Sequence, residues 1–277
     1  LNPLDYRIQS ANASFAKTIP DRPQRYQIES MLDGRIQFEV IIENEVFNIH
    51  HIQPLEDQLL LVCARSMYRS SNDFEKNGRV YTRDGKFSRD ILLGDGIRAV
   101  QTTTDGLIWT SFFDEGVFGN YGWKTPIGAS GLVAWDSGAK KVFEFEPSAG
   151  LDSISDCYAL NVESEQDAWC YYYTEFPLVR LRRQKIDSIW NMPVRGSDAF
   201  AVSGDYALFR GSYKERDIYR LFELHASGEV RQVSEMEFLD QSGDKIVADR
   251  VVGRGSTIHV LSKGCLYRVD VADTLAS

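Results

Sequence analysis

The sequence is poor in the residues that usually carry metal, redox or nucleophilic chemistry. It has only 4 cysteines and 4 histidines in 277 residues, and no two cysteines stand at C-x-x-C spacing. Each cysteine lies in a short apolar run, where free cysteine packs as a small hydrophobic side chain. We therefore predict buried, reduced cysteines, no metal site and no cofactor.

Long apolar segments and a basic charge balance are also missing. No apolar run approaches the roughly 18–20 residues that span a bilayer, and the first residues lack the basic and apolar regions of a signal peptide. The net charge of −9 opposes binding to phosphate backbones and to anionic membranes. We predict a cytoplasmic monomer that binds neither nucleic acid nor membranes. A removed signal peptide is left open, because the chain starts at Leu1.

Known catalytic signatures are absent too. The sequence contains no G-x-S-x-G, H-E-x-x-H, P-loop or G-x-G-x-x-G motif. His50 and His51 are adjacent, but neighbouring residues of a strand point to opposite faces and cannot easily bind one ion. Enzymatic activity has no support from motifs.

A repeated phrase is what the sequence does contain. Residues 105–115, 165–175 and 205–215 share a turn residue, an aromatic four positions later, a second aromatic and a glutamate. Polar–apolar alternation with turn signals every 8–12 residues is typical of all-β proteins. The phrases belong to units of roughly 45–50 residues, which is the period of propeller blades.

We therefore predict an all-β fold, a five-bladed β-propeller of four-stranded antiparallel blades, as a single domain over residues 1–277 with residues 1–24 irregular. The predicted blades are 47–93, 96–146, 154–192, 198–237 and a fifth from 246 onward.

The fifth blade has only three predicted strands, at 246–252, 257–261 and 266–271. A hairpin of residues 26–31 and 35–42 precedes the first blade. We expect residues 35–42 to close the ring beside 266–271, because closure removes exposed strand edges. Six blades are the alternative, if the first residues form more structure.

One segment also resembles known repeats. Asp105-Gly-Leu-Ile-Trp109-Thr is similar to the D-G-x-[LI]-W core of bacterial WD40/NHL-like and sensor-type propellers, and residues 113–123 resemble uncharacterised bacterial proteins with this pattern. The resemblance implies the propeller fold over most of the chain and no particular activity. The histidine and Trp-Asp pairing of true WD40 repeats is absent, so no WD40 partner chemistry is implied.

The longest predicted connection is residues 114–130, which are rich in glycine and aromatics. Connections of this length are often functional. Tyr121 and Trp123 are predicted to stack on a sugar ring or on an apolar side chain of a partner. The alternative is that the loop covers a neighbouring blade and buries these rings.

Three glutamates, Glu115, Glu175 and Glu215, occupy one phase of the repeat, each two residues after an aromatic. Such an acidic, aromatic rim suits a cationic or polyhydroxylated ligand, whereas the alternative is local turn chemistry. Arg98 or Arg250 are candidates to hold an anionic group, or else to form ion pairs. The predicted ligand-binding residues are Asp114, Glu115, Asn120, Tyr121, Trp123, Arg98, Asp156, Tyr158, Glu175, Glu215 and Arg250.

The leading functional hypothesis is a binding module for a protein partner or a small polar ligand, with its site on the face that carries loop 114–130. The alternative is a carbohydrate-active hydrolase or lyase that uses Glu115, Glu175 or Asp156. That mechanism needs two carboxyl groups about 5–9.5 Å apart. A third hypothesis is a structural interaction domain of a longer chain.

Overall fold

A computed structural model describes residues 8–10, 13–32, 34–148 and 150–275. The chain forms two compact units, unit 1 (Leu1–Glu144) and unit 2 (Phe145–Ser277). Five antiparallel sheets, here sheets 1 to 5, follow one another along the chain, with the strands of each sheet in chain order. The predicted all-β, five-bladed β-propeller fold is confirmed.

Unit 1 contains sheets 1 and 2. Its strands and one short helix are β1 (Ile8–Ser10), β2 (Ala13–Phe15), β3 (Gln24–Leu32), β4 (Arg35–Glu45), β5 (His51–Leu55), β6 (Gln58–Val62), β7 (Tyr68–Ser70), β8 (Asp73–Phe74), β9 (Gly78–Thr82), β10 (Phe87–Ile91), β11 (Ile97–Thr102), β12 (Ile108–Phe112), α1 (Asp114–Phe118), β13 (Leu132–Trp135) and β14 (Lys141–Glu144). Sheet 1 is formed by β5, β6, β9 and β10, and sheet 2 by β11 to β14. Three further pairs are β1–β2, β3–β4 and β7–β8.

Unit 2 contains sheets 3, 4 and 5. Its elements are β15 (Asp156–Val162), β16 (Asp167–Tyr173), β17 (Pro177–Arg182), β18 (Lys185–Asn191), β19 (Phe200–Ser203), β20 (Tyr206–Arg210), β21 (Ile218–Leu224), β22 (Val230–Glu237), β23 (Arg250–Arg254), β24 (Thr257–Ser262), β25 (Cys265–Asp270) and α2 (Val271–Leu275). Sheet 3 is β15 to β18, and sheet 4 is β19 to β22. Within the described residues, sheet 5 contains the three strands β23 to β25.

The repeated phrases stand in one register. Trp169 of β16 lies opposite Arg180 of β17, and Phe209 of β20 lies opposite Arg220 of β21. The second strand of each of these sheets is buried on both faces, so it reads as a nearly continuous apolar run rather than as an alternation. Equivalent positions of the repeated sequence phrases therefore occupy equivalent positions in sheets 3 and 4.

One strand partner differs from the prediction. Residues 35–42 lie in β4, which pairs with β3, whereas β25 pairs with β24 and with no other strand among the described residues. The β3–β4 hairpin buries Ile28, Val40 and Ile42 in a core cluster with residues of sheet 1. Burial of this apolar face holds the hairpin on sheet 1, so the prediction that 35–42 completes the fifth blade is wrong.

The cysteines also differ in part from the prediction. Cys63, Cys157 and Cys170 are buried and free, but Cys265 is exposed on β25. Burial raises the pKa of the Cys63 thiol to about 12, which keeps it protonated. Cys265 was expected to be buried because it lies in a short apolar run, but its side chain is exposed at the start of β25.

The N-terminal segment predicted to be irregular contains the short antiparallel pair β1–β2. Residues 1–7, 11 and 12 of that segment lie outside the described residues. Neither helix in the described part of the chain has the length and apolar character needed to cross a membrane.

Candidate functional site

A buried arginine organises the end of sheets 1 and 2 in unit 1. Arg65 follows β6, and its side chain is 0% exposed. Its guanidinium donates to both oxygens of Asp95, at 2.9 Å from Nε and 2.8 Å from Nη2, and its Nη1 donates to Glu115. The ring of Tyr121 lies 4.0 Å from the guanidinium carbon, which adds a cation–π contact.

This arrangement shifts the pKa values of Arg65 and Asp95. Burial opposes the charged guanidinium, but Asp95 and Glu115 outweigh it and raise the pKa of Arg65 above its usual range. Burial raises the pKa of Asp95 above its ordinary value, and Arg65 together with the amide N–H of Ser66 offsets only part of that rise. Glu115, a predicted catalytic residue, is thus an ion-pair partner of an arginine that stays charged.

The two aromatics predicted to stack on a ligand are largely enclosed. Tyr121 is 7% exposed and donates its hydroxyl hydrogen to the carbonyl of Ala16 at 2.5 Å. Trp123 is 9% exposed, donates from Nε1 to the carbonyl of Ser66 at 2.7 Å, and packs on Tyr68 of β7. Loop 114–130 therefore covers β7–β8 with these rings, as in the alternative stated above.

The exposed aromatic of this loop is Phe118, at the end of α1, with 70% of its surface open. Other predicted residues have local roles. Asp114 accepts from the amide of Glu115 at 2.8 Å, and Asn120 accepts from the amide of Tyr121 at 2.7 Å. Arg98 is exposed on β11.

A second aromatic group lies in unit 2, at the end of sheets 3 and 4, and we call it the tyrosine cluster. It consists of Tyr158, Tyr173, Phe176 and Tyr213. Phe176 is 3% exposed and its ring centroid lies 5.5 Å from Tyr158, 5.7 Å from Tyr173 and 6.4 Å from Tyr213. The hydroxyl of Tyr213 donates to that of Tyr158. Tyr173 is 43% exposed and Tyr213 is 49% exposed, so the cluster presents aromatic surface to solvent.

Backbone conformation positions two members of the cluster. Phe176 has φ of 57°, a left-handed conformation that is uncommon for an aromatic residue and often marks a functional segment. A Cβ on Gly196 would lie 2.4 Å from the ring of Tyr213, so only glycine allows this ring to rest on the backbone. The arrangement of the cluster therefore depends on the left-handed backbone at Phe176 and on the glycine at position 196.

The predicted carboxylates near these rings differ in their exposure and in their partners. Glu175 is exposed in the turn between β16 and β17. Glu215 accepts from Arg220 at 2.7 Å. Asp156, at the start of β15, is half-buried, and Arg250 is exposed at the start of β23. The structure thus brings Tyr158 together with Tyr213, and Glu115 together with Asp95.

The histidines give no metal centre in the described residues. No group of three or more histidine, cysteine, aspartate or glutamate side chains converges there in a way that could hold an ion. His50 accepts at Nδ1 from the amide of Ala64 at 3.0 Å, which is a structural contact.

A shallow pocket of about 390 Å³ lies in unit 1, lined by Trp135, Lys76, Asp90 and Lys141 among others. Lys76 pairs with Asp90 at 2.9 Å, and Lys141 with Glu144 at 2.6 Å. Both ammonium groups are therefore neutralised, which leaves no strong anion site.

Sequence reasoning missed three residues of these sites: Arg65, Phe118 and Phe176. Arg65 directly follows the apolar run 59–64, and a charged residue at the end of a fully buried strand is a usable signal. Phe118 and Phe176 carry no such signal, because exposure and backbone conformation depend on the folded turn.

The five repeated antiparallel sheets define a β-propeller protein, and several of its turns carry exposed aromatic side chains. The chain belongs to the YxzG family, whose model matches residues 129–269. It is similar in fold to a chain of "Crystal Structure of Mitotic Checkpoint Complex", with a TM-score of 0.54 and 6% sequence identity, over 89% of this chain and 68% of that chain. At this identity the likeness shows the fold alone. No curated protein matches the chain.

Proposed function

We propose that this protein is a protein-interaction module that binds its partner through aromatic side chains at the turns between second and third strands. A single observation carries the proposal. In three consecutive sheets this turn exposes an aromatic ring: Phe118 after β12 at 70%, Tyr173 at the end of β16 at 43%, and Tyr213 after β20 at 49%. Loop 114–130 contributes through Phe118.

The choice of a protein partner rests on the chemistry of these turns. Tyrosine and phenylalanine supply large contact areas at low entropic cost and are enriched at protein interfaces. The tyrosine hydroxyls and Glu175 add hydrogen-bonding groups beside the rings. Tyr173 and Tyr213 share one position of the repeat, which makes a chance exposure at a single turn a weaker explanation, and Phe118 exposes a ring at a different position of the corresponding turn.

The test uses photo-crosslinking from the full chain in a lysate of its native host. A benzoylphenylalanine replaces Phe118, Tyr173 or Tyr213 in turn, and Phe87 is replaced as the control. Phe87 is matched because it is also aromatic and is 48% exposed, but it lies on β10 and not on such a turn. We expect a protein to be crosslinked from each of the three turns and not from position 87, and the same protein from Tyr173 and Tyr213, which lie in one unit.

Substitutions at the same positions provide a second test of the proposal. Phe118→Ser and Tyr173→Ser should each weaken capture of the protein crosslinked at that position by at least about tenfold, as for interface hot spots, whereas Phe87→Ser should leave capture unchanged. Equal crosslinking from position 87, or no common protein from Tyr173 and Tyr213, would refute the proposal. A thermal shift of several degrees with a sugar or polyamine, lost in Tyr173→Ser, would show a small-ligand site instead.

A further inference from the structure

The turn between the third and fourth strands of sheet 3 departs from ordinary turn chemistry. Arg182 of β17 pairs with Lys185 of β18, so Arg183 and Gln184 form a two-residue turn. Both turn residues have positive φ, 49° and 60°. Such turns favour asparagine followed by glycine, which adopt this conformation most readily. Among the described residues, no other two consecutive non-glycine residues have positive φ.

A second turn of unit 2 shows the usual solution. Ser262 of β24 pairs with Cys265 of β25, so these strands are also joined by two residues. They are Lys263 and Gly264, with φ of 50° and 78°, and glycine takes the second position. An arginine and a glutamine in the same conformation are a less favourable choice, and backbone strain of this kind persists mainly where it serves a function.

The charges at the sheet 3 turn are also arranged unfavourably for the fold. Arg182 and Lys185 lie directly opposite each other in the antiparallel pair, and like charges in opposite positions destabilise it. Arg183 lies between them, so three cations fall within four consecutive residues, and all three are exposed. Because the whole chain has a net charge of −9, this concentration of positive charge is a local feature.

Arg182 has carboxylate partners, but it shares them or holds them loosely. Its Nε lies 3.3 Å from Oδ1 of Asp167, an oxygen that also accepts from Arg180 at 2.9 Å. Its Nη1 lies 3.8 Å from Asp187. Both acids are therefore already close to an arginine.

Arg183 and Lys185 have no carboxylate partner among the described residues. The Nε of Arg183 donates to the side-chain oxygen of Gln166 at 3.1 Å, which holds the guanidinium in place. Its Nη1 and Nη2 groups remain to donate, and such a pair of groups binds a carboxylate with two parallel hydrogen bonds.

We propose that the basic turn, defined as Arg182, Arg183 and Lys185, is a docking site for a carboxylate-rich segment of a partner protein. A bound carboxylate between Arg182 and Lys185 replaces their repulsion by two attractions, so the unfavourable charge pair becomes favourable in the complex. Carboxylates suit this turn better than phosphate groups do, because Asp167 and Asp187 repel a doubly charged group more strongly.

This site is separate from the aromatic turns of the proposed function. Asp167 begins β16 and pairs with Arg182, whereas Tyr173 ends the same strand. The basic turn and the tyrosine cluster therefore lie at opposite ends of sheet 3, and neither depends on the other.

The test measures binding of a fluorescein-labelled hexaglutamate peptide to the whole protein by fluorescence anisotropy. The ionic strength is about 0.01 M, where charges are screened only beyond about 30 Å. We expect saturable binding that weakens as the ionic strength rises to about 0.15 M, and no binding of a hexaglutamine peptide. The net charge of −9 opposes non-specific attraction of the probe.

Variants locate the binding. Arg183→Asn should raise the Kd of the probe by about fivefold, the effect of losing one exposed ion pair. Lys185→Glu should raise it by about tenfold or more, because repulsion replaces attraction. Lys263→Glu is the matched control, since Lys263 is an exposed lysine in the other two-residue turn of unit 2, and it should leave the Kd unchanged.

Thermal unfolding distinguishes a binding role from a structural one. Asparagine suits the first position of this turn, and a glutamate at 185 would form an opposite-charge pair with Arg182. Arg183→Asn and Lys185→Glu should therefore keep or raise the Tm while they weaken binding. A lower Tm in both variants would mean that these side chains serve the fold, which would overturn the proposal.

Three further results would overturn it. The first is the absence of hexaglutamate binding at low ionic strength. The second is a Kd that Lys263→Glu changes as much as Lys185→Glu does. The third is tighter binding of a peptide with three phosphoserines and three serines, which has about the same charge as the probe and would assign the turn to phosphate groups.

Discussion

At the scale of single residues, Arg65 has the largest predicted effect on stability. Its guanidinium holds two carboxylates and is fully buried. Removing one member of a buried ion-pair network leaves an uncompensated charge and typically costs 3–5 kcal/mol. We expect Arg65→Met to lower the free energy of unfolding by about 3–5 kcal/mol, measured by urea denaturation at pH 7.

The matched control for this prediction is Arg25→Met. Arg25 also pairs with a glutamate, Glu43, at 2.9 Å, but the two side chains are 54% and 59% exposed. An exposed pair contributes about 1 kcal/mol or less. If the two variants lost equal stability, the ion-pair network around Arg65 would not have the structural role assigned to it.

The same residue shows a limit of sequence-based prediction. Glu115 was recognised from its phase in the repeat, but its partner Arg65 lies 50 positions earlier and Asp95 lies 30 positions after Arg65. Nothing in a single sequence pairs residues at such separations, because the contact depends on how sheets 1 and 2 pack. The local phase of a residue was therefore predictable, and its partner was not.

At the scale of elements, the approach of α1 to the segment before β11 depends on two glycines. A Cβ on Gly116 would lie 2.6 Å from the carbonyl oxygen of Asp95 and 2.9 Å from Cα of Gly96. Gly→Ala within a helix usually stabilises it. Here we expect Gly116→Ala to destabilise the protein by about 1–3 kcal/mol, because the backbone must shift to admit the methyl group.

The matched control for Gly116→Ala is Gly138→Ala, where the added Cβ meets only the side-chain oxygen Oδ1 of Asp136, at 3.3 Å. We expect this variant to stay within about 0.5 kcal/mol of the parent. Thermal unfolding of the two variants measures the difference. A Gly116→Ala protein as stable as its parent would show that α1 is not tightly packed against residues 95–96.

A second element-scale prediction concerns Asn161, which connects three strand segments within unit 2. Its side chain is 0% exposed and donates to the carbonyls of Phe200 and Gly255 at 2.9 and 3.0 Å, while its Oδ1 accepts from the amide of Gly255 at 2.8 Å. Replacing it removes the donor to the Phe200 carbonyl and the acceptor of the Gly255 amide, at about 1–3 kcal/mol each, whereas the Gly255 carbonyl still accepts from the amide of Val202 at 2.9 Å.

We therefore expect Asn161→Leu to lower the free energy of unfolding by at least about 2 kcal/mol. Amide exchange at Gly255 should also become faster, since that amide loses its acceptor. Asn191→Leu is the control, because Asn191 is an exposed residue at the end of β18. Unchanged exchange at Gly255 would contradict the connecting role of Asn161.

Elements are also where most of the sequence prediction succeeded. The strands of sheets 2, 3 and 4 lie within the predicted blades, since turn residues and apolar runs are local signals that fix where strands begin and end. The β3–β4 hairpin was predicted as a hairpin but given the wrong neighbour. The alternation of apolar and polar residues in this hairpin indicates which side chains are buried, but it does not indicate which other element they pack against.

At the scale of the whole molecule, buried tyrosines govern the response to alkaline pH. Burial raises the pKa of Tyr121 and Tyr219 to about 12, and it raises the pKa of Tyr81, Tyr171 and Tyr172 further still. Unit 1 contains two of these five residues and unit 2 contains three, so each unit is affected. The ordinary pKa of tyrosine in an unfolded chain is about 10.

The sign of the effect follows from linkage. Below pH about 10 all five phenols are protonated in both states, and the folded state has its full stability. Above that pH the unfolded chain releases protons that the folded chain retains, so stability falls as pH rises toward 12 and beyond, by up to about 1.4 kcal/mol per pH unit for each group. We expect cooperative alkaline unfolding, followed by circular dichroism and by tyrosinate absorbance at 295 nm.

Part of the 13 tyrosines should therefore ionise while the strand signal persists, and the rest only as that signal disappears. Tyr219→Phe removes one retained proton, so the midpoint of alkaline unfolding should move to higher pH. The expected shift is modest, because four other buried phenols remain. Ionisation of all tyrosines near pH 10 with the strand signal intact would contradict this account, since phenols buried in the cores of both units cannot ionise there without unfolding.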